Sequence, residues 1–79
     1  MVFRRVEALR LSSADPYLAV GEEYVGYATE YPTIGAPFLF TTERGRLCTS
    51  IVVRVLRDGN LYYVETVNSV YRIRITLVD

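Results

Sequence analysis

Any chemistry in this chain has to come from arginines, carboxylates, hydroxyls, tyrosines and a single thiol. There is no lysine, histidine, tryptophan or glutamine, and nine arginines balance nine acids. Without histidine the side chain most used for proton transfer near neutrality is missing, and without lysine so is Schiff-base and P-loop chemistry. The polar residues fall into short sets: Arg44-Gly45-Arg46 leads to Thr49-Ser50, and Thr66 precedes Asn68-Ser69 and Tyr71. Arginines beside hydroxyls and an amide can take phosphate oxygens and base contacts, which makes Arg44, Arg46, Thr49, Ser50, Thr66, Asn68, Ser69 and Tyr71 a candidate site for an anionic ligand. The same residues also have a structural use, because Asn accepts turn backbone and Ser and Thr satisfy loose amides. Cys48 has no histidine to act as its base, and Glu22, Glu23 and Glu30 suit solvated positions better than acid-base or metal chemistry. The expectation is a protein with no catalytic residue, metal or cofactor.

The elements that position these residues are most legible in the second half. From Leu47 to Leu77 the chain is rich in Val, Ile, Tyr and Thr and is cut at Asp58-Gly59 and Asn68-Ser69, which predicts two hairpins and strands over 46–57, 61–67 and 70–77. In the last strand Tyr71, Ile73, Ile75 and Leu77 share an inner face, and Arg72 and Arg74 point outward. Upstream, 38–42 and 22–30 are predicted strands. Between them Tyr31-Pro32-Thr33-Ile34-Gly35-Ala36-Pro37 has two prolines and a glycine, the mark of an ordered loop. Residues 2–11 suit helix or strand, with strand favoured, before a break at Ser12-Ser13-Ala14-Asp15-Pro16. Five or six short antiparallel strands in 79 residues, 51% of them hydrophobic, predict one all-β domain over 1–79. An SH3-like barrel is the first choice and an OB-like barrel the second, since closure removes exposed edges.

Two-residue turns at Asp58-Gly59 and Asn68-Ser69 would set Arg54, Tyr63 and Arg74 in one outward row and Val52, Glu65 and Arg72 in the next. A tyrosine between two arginines is a solvated face in the bland case and an anion-binding or protein-binding patch in the functional one. The same turns gather Thr49, Ser50, Asn68 and Ser69 at one end of the sheet.

Composition limits the partners. Zero net charge makes sequence-independent nucleic-acid binding weak. One cysteine fits a reducing, cytoplasmic compartment, and the arginine-bearing N-terminal run is unlike a signal peptide or membrane span. Seven tyrosines (Tyr17, Tyr24, Tyr27, Tyr31, Tyr62, Tyr63 and Tyr71) exceed what a core this small encloses, which favours a homo-oligomer.

The order Pro-x-x-Gly-x-x-Phe (Pro32, Gly35, Phe38), Thr-Ser-x-Val (Thr49, Ser50, Val52) and Thr-x-Asn-Ser-x-Tyr (Thr66, Asn68, Ser69, Tyr71) resembles a group of small uncharacterised bacteriophage and prophage proteins, over roughly residues 24 to 75. The resemblance implies an accessory factor, acting in the host cytoplasm, of the kind that counters host defence. Two functions are then expected. The first is non-enzymatic sequestration of an anionic, nucleotide-like signal. The second is an SH3-like interaction module that binds or inhibits a host protein.

Overall fold

The computed structural model describes residues 3–14 and 20–77, and these form a closed barrel of six antiparallel strands. The strands are β1 (Arg4–Ser13), β2 (Glu23–Ala28), β3 (Pro37–Thr42), β4 (Gly45–Asp58), β5 (Leu61–Thr66) and β6 (Ser69–Leu77). Each strand pairs with its neighbours in sequence, and β6 returns to β1. The small all-β barrel expected from composition is therefore present, as an up-and-down meander. No helix among the described residues is long and apolar enough to cross a membrane.

β1 resolves as a strand because its alternation serves a closed lumen. Val6, Ala8 and Arg10 face inward and are buried, between β2 and β6. Small residues stand opposite large ones: Val6 pairs with Gly26 and Ala8 with Tyr24. β1 runs on through Ser13, so the expected break begins later than predicted; Asp15, Pro16 and Tyr17 lie outside the described residues. On β6, Tyr71, Ile73 and Ile75 enter the core as predicted, whereas Leu77 is exposed. With Phe38, Phe40, Val52, Tyr62 and Val64 they fill the barrel. The loop before β3 is ordered, as its prolines suggest: the Gly35 N–H donates to the Val52 carbonyl (2.8 Å) and the Val52 N–H to that of Ala36 (3.0 Å).

Both hairpin registers differ from expectation by two residues. Asp58 pairs with Leu61, so the turn is Gly59–Asn60 rather than Asp58-Gly59. A turn on Asp58-Gly59 would place Asp58 at positive φ. Within this turn positive φ falls on Gly59 (+62°) and not on Asn60, as a type II′ turn requires, and no non-glycine among the described residues has it. Glu65 likewise pairs with Val70, which makes Val67–Asn68 the link between β5 and β6. The outward rows change accordingly. Arg54 stands opposite Glu65, Tyr63 lies between Leu56 and Arg72, and Arg74 lies between Leu61 and Glu7. The predicted Arg54–Tyr63–Arg74 row does not exist. β4 departs further from simple alternation, with register shifts near Ile51 and Val53, so that Thr49 and Val52 are both buried.

Candidate functional site

The hydroxyl cluster predicted from Thr49, Ser50, Thr66, Asn68 and Ser69 does assemble, where β1 and β5 end and β3 begins. Its hydrogen bonds go to itself. Ser50 Oγ donates to Thr66 Oγ1 (2.9 Å) and accepts the Asn68 N–H (3.2 Å). Thr66 Oγ1 donates to the Ser69 carbonyl and accepts the Ser69 N–H, both at 3.0 Å. Thr49 Oγ1 takes the Phe38 N–H (2.9 Å) and donates to the Ser50 carbonyl (2.7 Å), while Ser69 Oγ reaches Ser13 Oγ at 3.2 Å. A two-residue hairpin lacking positive φ splays its strands, and the Thr66 hydroxyl bridges the splay. These hydroxyls are spent on the turn.

The arginines assigned to the cluster lie elsewhere. Arg44 belongs to the β3–β4 turn, its N–H donating to Thr42 Oγ1 (3.1 Å), and Arg46 pairs with Thr41. Arg46 is four residues along β4 from Ser50, about 13 Å. Tyr71 points into the barrel. It meets Arg10, a residue the sequence reading passed over although it shares the parity of Val6 and Ala8. The Arg10 guanidinium donates to Tyr24 Oη (3.0 Å) and Tyr71 Oη (3.4 Å), lies 5.3 and 5.4 Å from their ring centroids, and has Glu22 at 3.9 Å. Burial alone would lower the Arg10 pKa, but its bonds and attraction to Tyr71 and Tyr24 hold it above the ordinary value, and the group stays charged. Burial, then a hydrogen bond with Glu22, raises the Tyr24 phenol against the opposing pull of Arg10.

Two other features survive as candidates. The first is a groove of 1190 Å³ on the outer wall, running over the seam between β2 and β3. Phe3, Val25, Tyr27 and Leu39, each about half exposed, supply its apolar surface, with Glu43 and Arg46 also in its lining. The seam beneath is paired at Gly26–Thr42 and Tyr27–Thr41 only. Glu23 to Val25 and Pro37 to Phe40 thus have a strand neighbour on one side alone. Gly26 is required at the crossing, because a Cβ there would run into the Thr41 carbonyl oxygen.

The second feature is a tyrosine between arginines, formed by residues remote in sequence. The Arg4 guanidinium stacks 4.3 Å above the Tyr31 ring, and that of Arg57 lies 5.9 Å from Tyr31 and 5.2 Å from Tyr62. The two rings are 5.7 Å apart. Each such stack stabilises by about 0.5 to 1 kcal/mol when exposed. No local spacing announces this cluster, since Arg4, Tyr31 and Arg57 meet only when the barrel closes.

Cys48 is exposed, and no group of three or more His, Cys, Asp or Glu residues capable of holding a metal occurs among the described residues. Comparison with family models, curated proteins and solved structures finds no match to this chain.

Proposed function

We propose that the protein is a non-enzymatic binding barrel that takes an extended stretch of another polypeptide into the groove over the β2–β3 seam. The observation that carries this is that Val25 of β2 and Leu39 and Phe40 of β3, which have a strand neighbour on one side alone, line one groove with an apolar surface. Edge backbone groups are ready to pair with an incoming strand, which gains affinity from main-chain hydrogen bonds and specificity from alternate side chains. At 1190 Å³ the groove exceeds the roughly 300 to 1,000 Å³ usual for a small-molecule pocket. Its concave wall suits a single strand better than the convex side of a second barrel. The lack of histidine and lysine supports binding without turnover. On the resemblance to small phage proteins, the polypeptide would belong to the host, and the lone exposed thiol suits the host cytoplasm.

The test is selection from a displayed library of short peptides. Enrichment of alternating apolar sequences is expected, with binding weakened at least about tenfold by Val25→Arg and by Leu39→Arg, two exposed positions where the fold should persist by circular dichroism. Enriched peptides that bind wild type and both variants equally would overturn the proposal. So would a dimer, seen by analytical ultracentrifugation, that already buries Leu39.

A further inference from the structure

We infer that Arg4 and Arg57, gathered around Tyr31 at the opposite end of the barrel from the hydroxyl cluster, form a receptor for a phosphoryl group. The inference is independent of the peptide groove.

Three observations meet at this place. First, both guanidinium groups are held in position before any ligand arrives. Arg4 Nη1 donates to the Thr29 carbonyl and Arg57 Nε to the Gly59 carbonyl (3.0 Å), while the Arg4 head lies 4.3 Å from the Tyr31 ring centroid and the Arg57 head 5.2 Å from that of Tyr62. Arginine pays little further ordering entropy when it binds from such a state.

Second, neither charge has a carboxylate partner among the described residues. Arg5 and Arg74 pair with Glu7, and Arg10 is beside Glu22, but no carboxylate lies within 4 Å of Arg4 or Arg57 among the described residues. Glu30 and Asp58, their acidic neighbours along the chain, are exposed and make no ion pair with them. Among the described residues this leaves two cations without a carboxylate partner at one place.

Third, donors remain. Arg4 Nη2 and both Nη atoms of Arg57 have no protein acceptor among the described residues. The two heads border one ring and are no more than about 10 Å apart, a gap that an oxyanion accepting bonds of about 2.8 Å from each can bridge. A phosphoryl group fits because it offers several acceptor oxygens and a charge near two. A carboxylate would satisfy one head and leave the other.

Titration with inorganic pyrophosphate, followed by amide and arginine side-chain NMR, tests this directly. Saturable shifts centred on Arg4, Tyr31 and Arg57 are expected, with affinity reduced at least about tenfold by Arg57→Gln and by Arg4→Gln and unchanged by Arg72→Gln. Because Arg57 is exposed, its variant tests the site even if Arg4→Gln weakens the fold. Leu39→Arg should bind pyrophosphate normally, which separates this site from the groove. Parallel titrations with ATP and with a phosphotyrosine peptide identify the source of the group, the tighter binder naming it. Linear, non-saturating shifts, or saturable shifts centred elsewhere, would overturn the assignment.

Discussion

The two seams that flank β1 and β3 make opposite uses of the same kind of strand. β1 and β6 are joined by nine residue pairs, from Arg4–Leu77 to Ser13–Ser69, although they lie at opposite ends of the sequence. β2 and β3 are close in sequence and joined by two pairs. Proximity along the chain therefore does not decide where the barrel is tight. Side chains do: the β1–β6 seam places Val6 beside Ile75 and Ala8 beside Ile73, all buried, whereas the β2–β3 seam is pinned at a glycine and opens on both sides.

Substitutions at the two seams should separate them. The largest effect is expected for Ile73→Ala, which removes one of the most completely enclosed side chains and should cost about 4 kcal/mol in urea unfolding. A loss below 1 kcal/mol would mean the closing seam contributes little packing. Gly26→Ala should cost about 3 kcal/mol by the same measurement, since the clash is with backbone. A near-neutral result would show that β2 and β3 separate freely, sharpening the contrast rather than removing it. Native-state hydrogen exchange should show β6 amides opposite β1 exchanging near the global unfolding limit and those of Val25 and Leu39 faster. Thr66→Val should cost about 2 kcal/mol, because the buried Ser69 N–H and the half-buried Ser50 hydroxyl lose their partner. The smallest effect is alkaline. The raised Tyr24 pKa means the folded state binds more protons than the unfolded chain above pH about 10. Stability should be intact below that pH and fall as pH rises through the folded value, a loss that Tyr24→Phe abolishes.

Much of the fold was legible from the sequence because inward positions on β5 and β6 are apolar at every second residue, and because Pro32, Gly35 and Pro37 exclude regular pairing. What was not legible turned on single backbone choices. Asp58-Gly59 and Gly59-Asn60 are both good turn pairs, and only the preference for positive φ at Gly59 alone selects the second. That choice, with the Val67–Asn68 link, dissolves the Arg54–Tyr63–Arg74 row. The shifts on β4 hide that Thr49 and Val52 share an interior. The polar cluster was found because its members flank a turn. Its use as turn scaffolding depends on which hydroxyl faces which amide, and spacing does not record that. Arg10 was recoverable from parity with Val6 and Ala8. The meeting of Arg4 and Arg57 at Tyr31 was not, because it joins three segments remote in sequence.

The nine-pair seam also governs when the protein can exist. Arg4 must wait for Leu77, so a chain emerging from the ribosome cannot complete its core until the last strand is free. Closing so long a loop costs more chain entropy than any of the five seams between strands adjacent in sequence, so the β1–β6 seam is expected to form last. During that interval Val6, Ala8 and their apolar neighbours on β1 lack the cover of Ile73 and Ile75. Arg4, Arg5 and Arg10 give that strand three positive charges while its partner is absent.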